Sequence, residues 1–473
     1  GIRDVERSRG LGDVYKRQDQ EVMMPSGANA HRAQTIGYLS GVFHEKLVGE
    51  VNQALEAVED AGTDALNELQ QRNVIRLRRD LDKQTKLPTA HVVKMNQLRS
   101  EALPTWVEAK SKSDFSIFEP TLQRIVDLRK EEAELIGYQE NPYDALMDAY
   151  EPDMTASKLI SVFEPFKKEL GGLLSQIAAS PQIDDSFLRQ EISSEKQLEW
   201  SREVLLAMGY NMEMGRQDLS AHPFTINMHP TDVRITTMVK SDDIREMLYS
   251  SIHEGGHALY EQGLPTEQFG WPAGEACSLG IHESQSRLWE NNVCRSLEFW
   301  EHFFPSFSEL FPDKLKGKGP EDVFKAVNKV GSNFIRISAD ELTYHFHVIL
   351  RFEVENAVIN GEVKVKDLPA FWNEKIKQYL GLEVKNDAEG LLQDIHWAHC
   401  SFGYFPTYSL GSFYAAQIVD AAKDNIPGLT DQFSKGKFGE LNQWLGANIH
   451  TWGKQLNAED LCKQATGKNL DVQ

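Results

Sequence analysis

The strongest chemistry in the chain lies in His253-Glu254-Gly255-Gly256-His257. Two histidines four positions apart leave one face of a helix on adjacent turns, so both imidazoles can reach one tetrahedral zinc ion at about 2.0 to 2.1 Å. Glu254, about 100° further round the same helix than His253, is placed to take a proton from activated water and not to ligate the metal. Zinc hydrolases use a third protein ligand and leave a fourth position open. Glu283, in the run GIHESQSRLWENN, precedes an apolar helical pattern through Leu288, Trp289, Val293 and Leu297, and is the natural third ligand. Its alternative is a solvated glutamate at a helix start. His282 reads as a hydrogen-bond partner of the ligands or as a packed histidine.

These residues need a helix to hold them. Ser241, Asp242 and Asp243 supply a start with acidic first-turn residues, while Ile244, Met247, Leu248, Ile252 and Leu259 continue an apolar face to Gly263. Two glycines inside a helix cost about 1 kcal/mol each relative to alanine, so helix stability does not explain them. Either a substrate approaches closely there or another helix packs tightly; both readings stay open. Apolar residues three or four apart predict further helices over residues 28–58, 66–81, 115–136, 156–177 and 193–208. Pro104, Pro120, Pro142, Pro152 and Pro181 are expected to punctuate them. Residues 221–239, rich in Thr, Ile and Val, predict two short strands around a turn at His229-Pro230.

With 41% hydrophobic and 26% charged residues among 473, the chain can bury a large core, and disorder is excluded for most of it. A formal net charge of −21 repels phosphate backbones and anionic lipid, which argues against nucleic-acid and membrane partners. No stretch approaches the roughly 18 apolar residues of a membrane span. Cys277, Cys294, Cys400 and Cys462 show no CxxC spacing, as expected of reduced thiols in the cytoplasm. Within residues 1–18 the segment LGDVYKRQ resembles translated adapter sequence, so 1–18 is expected to be non-native and 19–473 to form a single catalytic domain.

Six short elements follow one another along the chain: His222-Pro223-Phe224, DVRIT at 232–236, HEGGH at 253–257, HESQ at 282–285, IRISAD at 335–340 and GLLQDIHW at 390–397. In these elements and their order, nearly the whole chain after residue 18 resembles the carboxypeptidase Taq family of zinc metallocarboxypeptidases. The resemblance implies a mainly α fold: a large helical array with a deep substrate cleft, a small embedded β-sheet and a gluzincin-like active site. It implies a homodimer that removes single C-terminal amino acids, with broad specificity, from peptides with a free C-terminus. One zinc ion per chain is expected, with cobalt as a possible substitute because a His/His/Glu site takes several divalent ions. Family members carry further helical sequence before the segment matching 19–25, so an N-terminal helix is expected to be missing.

Recognition of a free carboxylate suits a guanidinium, which offers paired, charge-assisted hydrogen bonds. Arg336, expected in a helical stretch and matching the family's substrate-binding arginine, is the candidate; its alternative is an ion pair with Asp340. Arg234 is the reserve, or a structural partner of Asp232. His396 is read as a donor to the oxyanion formed at the scissile carbonyl, oriented by Asp394 or Gln393, with Tyr404 and Tyr408 as phenolic donors. Each of the three has the alternative of a hydrogen-bonded core residue. His222, extended because proline follows it, either shapes the substrate edge or packs. A helical-cleft zinc oligopeptidase or dipeptidyl carboxypeptidase is the rival within the same chemistry. A non-catalytic metal-binding scaffold is the more distant one, weakened by Glu254 and the open metal position.

Overall fold

Short polar side chains start the helices where the sequence supplies them. Asp114, Thr155, Ser193, Asp243, Ser278 and Asp340 each accept a first-turn backbone N–H, which a helix start otherwise leaves unpaired. The computed structural model describes residues 19–311 and 313–472, and these are mainly helical with one small sheet. The segment 1–18 lies outside the described residues. The chain divides into two compact units, each drawn from segments distant in sequence: 19–84, 183–327 and 411–471 in the first, 85–182, 328–410 and 472 in the second.

In the first unit the stripe over 28–58 becomes helix, but the turns widen to a π-helix over Leu47–Val51 between Asn29–Lys46 and Asn52–Asp60. Leu47, Val51 and Leu55 are buried against Leu77 and Leu81, while Leu39, earlier in the stripe, stays exposed. The expected hairpin forms from β2 (Thr225–His229) and β3 (Asp232–Thr237), antiparallel with a register shift between Asn227 and His229. A strand that the sequence did not reveal, β1 (Gln217–Leu219), pairs parallel to β3, giving the order β1-β3-β2. Three residues are too few for alternation to register. Helix α1 (Ser194–Met208), β3 and α3 (Leu279–Arg287) all pack on α2 (Ile244–Gly263), the helix of the histidines. Thr237 Oγ1 ties the sheet to it through Ser250 Oγ at 2.7 Å and Ser251 Oγ at 2.8 Å.

The second unit contains helices Thr89–Lys112, Phe115–Ile136, Ala156–Ala178 and α4 (Glu341–Asn360), the last with most of its side chains buried. Pro104 and Pro120 do not break helices as expected; both lie inside them. Each removes one N–H, a loss that a helix 24 or 22 residues long, packed along its length, absorbs. Pro142 behaves as predicted, sitting at the first turn of Pro142–Met147 behind the cap Asn141. Residues 381–405 contain neither helix nor strand, and α5 (Pro406–Asn425) follows, entering the first unit at Gly411. All four cysteines are buried thiols. Among the described residues no helix is long and apolar enough to cross a membrane.

Candidate active site

Asp243 caps α2 by accepting from the Arg245 N–H at 3.1 Å, and the helix runs unbroken to Gly263. His253 and His257 therefore project from adjacent turns, with ring centroids 4.8 Å apart. Glu283 comes from α3, and Gly256 explains how α3 comes so near. A Cβ on Gly256 would lie 2.6 Å from the Gln285 carbonyl oxygen and 2.7 Å from Ser286 Cα, so tight helix packing is what this glycine serves. Gly411 of the same unit confines Glu283 further, since a Cβ there would lie 2.5 Å from Glu283 Cγ.

The three side chains point one atom each at a common place, with all three atoms within 4.8 Å of one another. Glu283 Oε2 lies 3.5 Å from His253 Nε2 and 3.5 Å from His257 Nε2. A tetrahedral ion with arms of about 2.0 to 2.1 Å would set its ligand atoms about 3.3 Å apart, so the set fits such an ion. The outward nitrogens agree. His253 Nδ1 donates to Glu290 Oε2 at 2.8 Å and His257 Nδ1 to the His282 carbonyl at 3.0 Å. Both partners only accept, so each Nδ1 carries a proton, and in the neutral ring that metal binding requires each Nε2 turns its lone pair toward the shared point.

The electrostatics favour a cation there. Burial acts to lower the basicity of His253, but the carboxylates of Glu283 and Glu290 outweigh it and raise it to about 9. Burial and the neighbouring imidazole of His282 bring His257 down to about 3. Burial opposes ionisation of Glu283 too, yet His253 and Arg287 hold its carboxyl well below the usual range. Arg287 Nε binds Glu283 Oε1 at 2.8 Å, leaving Oε2 toward the histidines. Glu290, which sequence reasoning missed, sits in a π-helical stretch, Leu288–Val293, that continues α3. His282 is no ligand: its ring stacks on His257 at 4.4 Å and its Nε2 bonds Glu261 Oε1 at 2.8 Å. Glu254 is 6% exposed, and its Oε2 accepts from the Thr225 hydroxyl on β2 at 2.7 Å.

Among the other residues singled out, Arg336, His396, Tyr404 and Tyr408 all belong to the second unit. Arg336 lies in a single 3₁₀ turn, Arg336–Ser338, and not in the expected longer helix, because Asp340 caps α4 instead of pairing with it. Its Nε and Nη2 bind Asp394 Oδ1 at 3.1 and 2.9 Å, and its Nη1 binds the Tyr344 hydroxyl at 2.9 Å. Arg351 on α4 binds the other oxygen, Oδ2, through Nε at 2.6 Å. His396 Nε2 meets the Tyr408 hydroxyl at 3.1 Å, while its buried Nδ1 has no hydrogen-bond partner among the described residues. Burial, reinforced by Arg336, brings this imidazole down to about 3, so it is neutral at physiological pH. Tyr404 packs its ring against both His396 and Tyr408 at 5.3 Å. In the first unit, Arg234 pairs with Asp232 through two bonds of 2.8 Å, the structural partnership the sequence offered as its alternative. His222 is exposed at a bend between β1 and β2.

Two imidazoles and a carboxylate converging beside a buried glutamate, on a mainly helical scaffold, define a candidate metallopeptidase centre. The chain belongs to the carboxypeptidase Taq (M32) metallopeptidase family, whose model matches residues 13–473. Thermostable carboxypeptidase 1 of Thermus thermophilus is 40% identical over 468 residues, covering 95% of this chain and 90% of that protein. Carboxypeptidase 1 of Bacillus subtilis is 37% identical over 456 residues, covering 96% and 91%. The crystal structure of the M32 carboxypeptidase from Deinococcus radiodurans superposes with a TM-score of 0.96 at 35% identity, over 99% of this chain and 94% of that one. The chain is thus a metallocarboxypeptidase, a metal-dependent hydrolase that acts on peptides.

Proposed function

We propose that His253, His257 and Glu283 hold one zinc ion per chain, and that Glu254 is the general base in the release of single residues, with broad specificity, from free C-termini. The observation that carries this reading is the convergence of two Nε2 atoms and Glu283 Oε2 while both Nδ1 protons are engaged outward. When bound, the ion would supply Lewis acidity toward the scissile carbonyl and the attacking water, and cobalt would serve as a substitute. Glu254 accepts the water's proton and passes it to the departing amine, its carboxylate steadied by Thr225.

We assign the substrate's terminal carboxylate to Arg336. Two buried guanidiniums, Arg336 and Arg351, share the single carboxylate of Asp394, an excess of positive charge that an anion would balance. Of the five guanidinium N–H groups of Arg336, the bonds to Asp394 and Tyr344 use three and leave one on each Nη nitrogen, a fork for a second carboxylate. In the tautomer of neutral His396 that accepts from Tyr408 at Nε2, the proton sits on the unpartnered Nδ1, which suits a donor to the oxyanion. Tyr408 and Tyr404 are its phenolic companions, and Arg234 and His222 remain secondary substrate contacts. Residues 19–473 acting as one catalytic domain, a homodimer and a cytoplasmic setting complete the proposal; the four thiols support the last.

Mass spectrometry of free-acid and C-terminally amidated peptides, incubated with metal-loaded wild type and Glu254→Gln, tests it. Single-residue ladders from free acids alone, reduced by about three orders of magnitude or more in the variant, are expected. Internal or two-residue cuts would move the assignment to an oligopeptidase or dipeptidyl carboxypeptidase.

A further inference from the structure

The carboxylate of Glu355, on α4, is fully buried and takes no part in the mechanism above. It accepts three hydrogen bonds from two separate segments. Trp397 Nε1 donates to Oε1 at 2.8 Å, the Tyr143 hydroxyl donates to Oε2 at 2.7 Å, and the Gly403 N–H donates to Oε2 at 3.0 Å. Trp397 and Gly403 bracket one stretch of irregular chain, 394–405, which carries Asp394, His396 and Tyr404. One turn earlier on α4, Arg351 holds Asp394. A single helix therefore grips this stretch at Asp394, at Trp397 and at Gly403, and His396 lies between the first two. Gly403 has φ +91 and would bring a Cβ to 2.7 Å from Met147 Cα, so its N–H is presented by a backbone shape that only glycine takes easily.

We propose that Glu355 is a positioning residue for the substrate-binding stretch 394–405, acting through Trp397 and Gly403 to hold His396 and Tyr404 in place. The proposal rests on the reading of Arg336 and His396 as substrate contacts. A buried charge with two of its three bonds directed at one irregular segment is costly unless the geometry it enforces is used.

The carboxylate form is the one that fits. A proton on Oε2 would reverse the bond with the Tyr143 hydroxyl, which would then accept, and a proton on Oε1 would be an O–H group with no acceptor among the described contacts. Burial raises this carboxyl to about 7, against the three hydrogen bonds and the Arg129 guanidinium. The titratable groups facing it are Tyr143, Tyr150 and Arg129; Lys167 and Lys375, from other helices packed on α4, go to Glu353 instead. With the acid's value raised into the neutral range, the carboxylate accepts all three bonds above it, and the pin is weakened below it.

Glu355→Gln keeps the shape but turns an NH₂ group toward one of the donors. We expect its KM to rise about ten-fold with bound metal unchanged. In wild type labelled with ¹⁵N-tryptophan, the Trp397 indole signal, assigned by its loss in Trp397→Phe, should titrate with a midpoint of about 7 and stay constant in Glu355→Gln. Kinetics of Glu355→Gln within about two-fold of wild type would overturn the proposal. If Glu355→Gln does not fold, Trp397→Phe, which removes one of the three bonds and leaves the carboxylate in place, takes over the test, and a wild-type KM there overturns the proposal. Arg336→Lys, measured in parallel, separates the two readings. A large KM rise there with an unaffected Glu355→Gln overturns the role of Glu355 alone, whereas no rise overturns the substrate-binding assignment on which it rests.

Discussion

At the scale of single residues, the metal centre depends on Glu290 as well as on its three candidate ligands. The carboxylate fixes the tautomer of His253 and, by accepting from Nδ1, strengthens Nε2 as a donor to a cation. It is tied in turn by Arg287 at 3.4 Å and Arg295 at 3.5 Å. Glu290→Gln should weaken zinc binding by about 10- to 100-fold, read by competition with a chromophoric chelator. An unchanged dissociation constant in a folded variant would remove Glu290 from the site. Glu290 follows Glu283 by two helical turns, so periodicity alone puts the two near one face. Nothing in the run LWENN distinguishes it from any other surface glutamate.

At the scale of elements, the site is a contact between helices, and its tolerance is set by Gly256. Alanine there meets the backbone of α3 and not a movable side chain, so α3 has to retreat by tenths of an ångström and carry Glu283 with it. Gly256→Ala should cost about 1 to 3 kcal/mol and weaken zinc binding, by thermal melting and metal titration. Gly255→Ala is the control: its Cβ meets only side-chain tips, Leu205 Cδ2 at 2.5 Å and Met208 Cε at 3.4 Å, and the damage should be smaller. Equal effects of the two substitutions would mean that the approach of α3 does not set the position of the third ligand.

At the scale of the whole molecule, metal binding and stability are linked. All three candidate ligands belong to the first unit and join α2 to α3, so an ion bound by the folded chain alone stabilises it by about 2.7 kcal/mol at a free concentration 100 times its dissociation constant. The thermal midpoint should climb with free zinc and fall on chelation, and hydrogen exchange should slow in α2 and α3 before it changes in α4. A midpoint indifferent to zinc would contradict the site.

The sequence by itself determined what local pattern and residue chemistry can encode. The spacing of His253 and His257, the helix start within 241–243, the end at Gly263, the hairpin around His229-Pro230 and the candidacy of Glu283 all follow from local runs of the chain. Motif order supplied the family. What only the tertiary structure decided are the relations between distant segments. Gly256 serves a neighbouring backbone and not a substrate, Arg336 pairs with Asp394 and not Asp340, and Glu290 and Glu355 hold groups that sequence distance conceals. Helical periodicity reports which face is buried but not against what, and a hydrogen bond between residues 42 positions apart, such as Trp397 to Glu355, leaves no periodic trace. Those partners are fixed only when the helices pack.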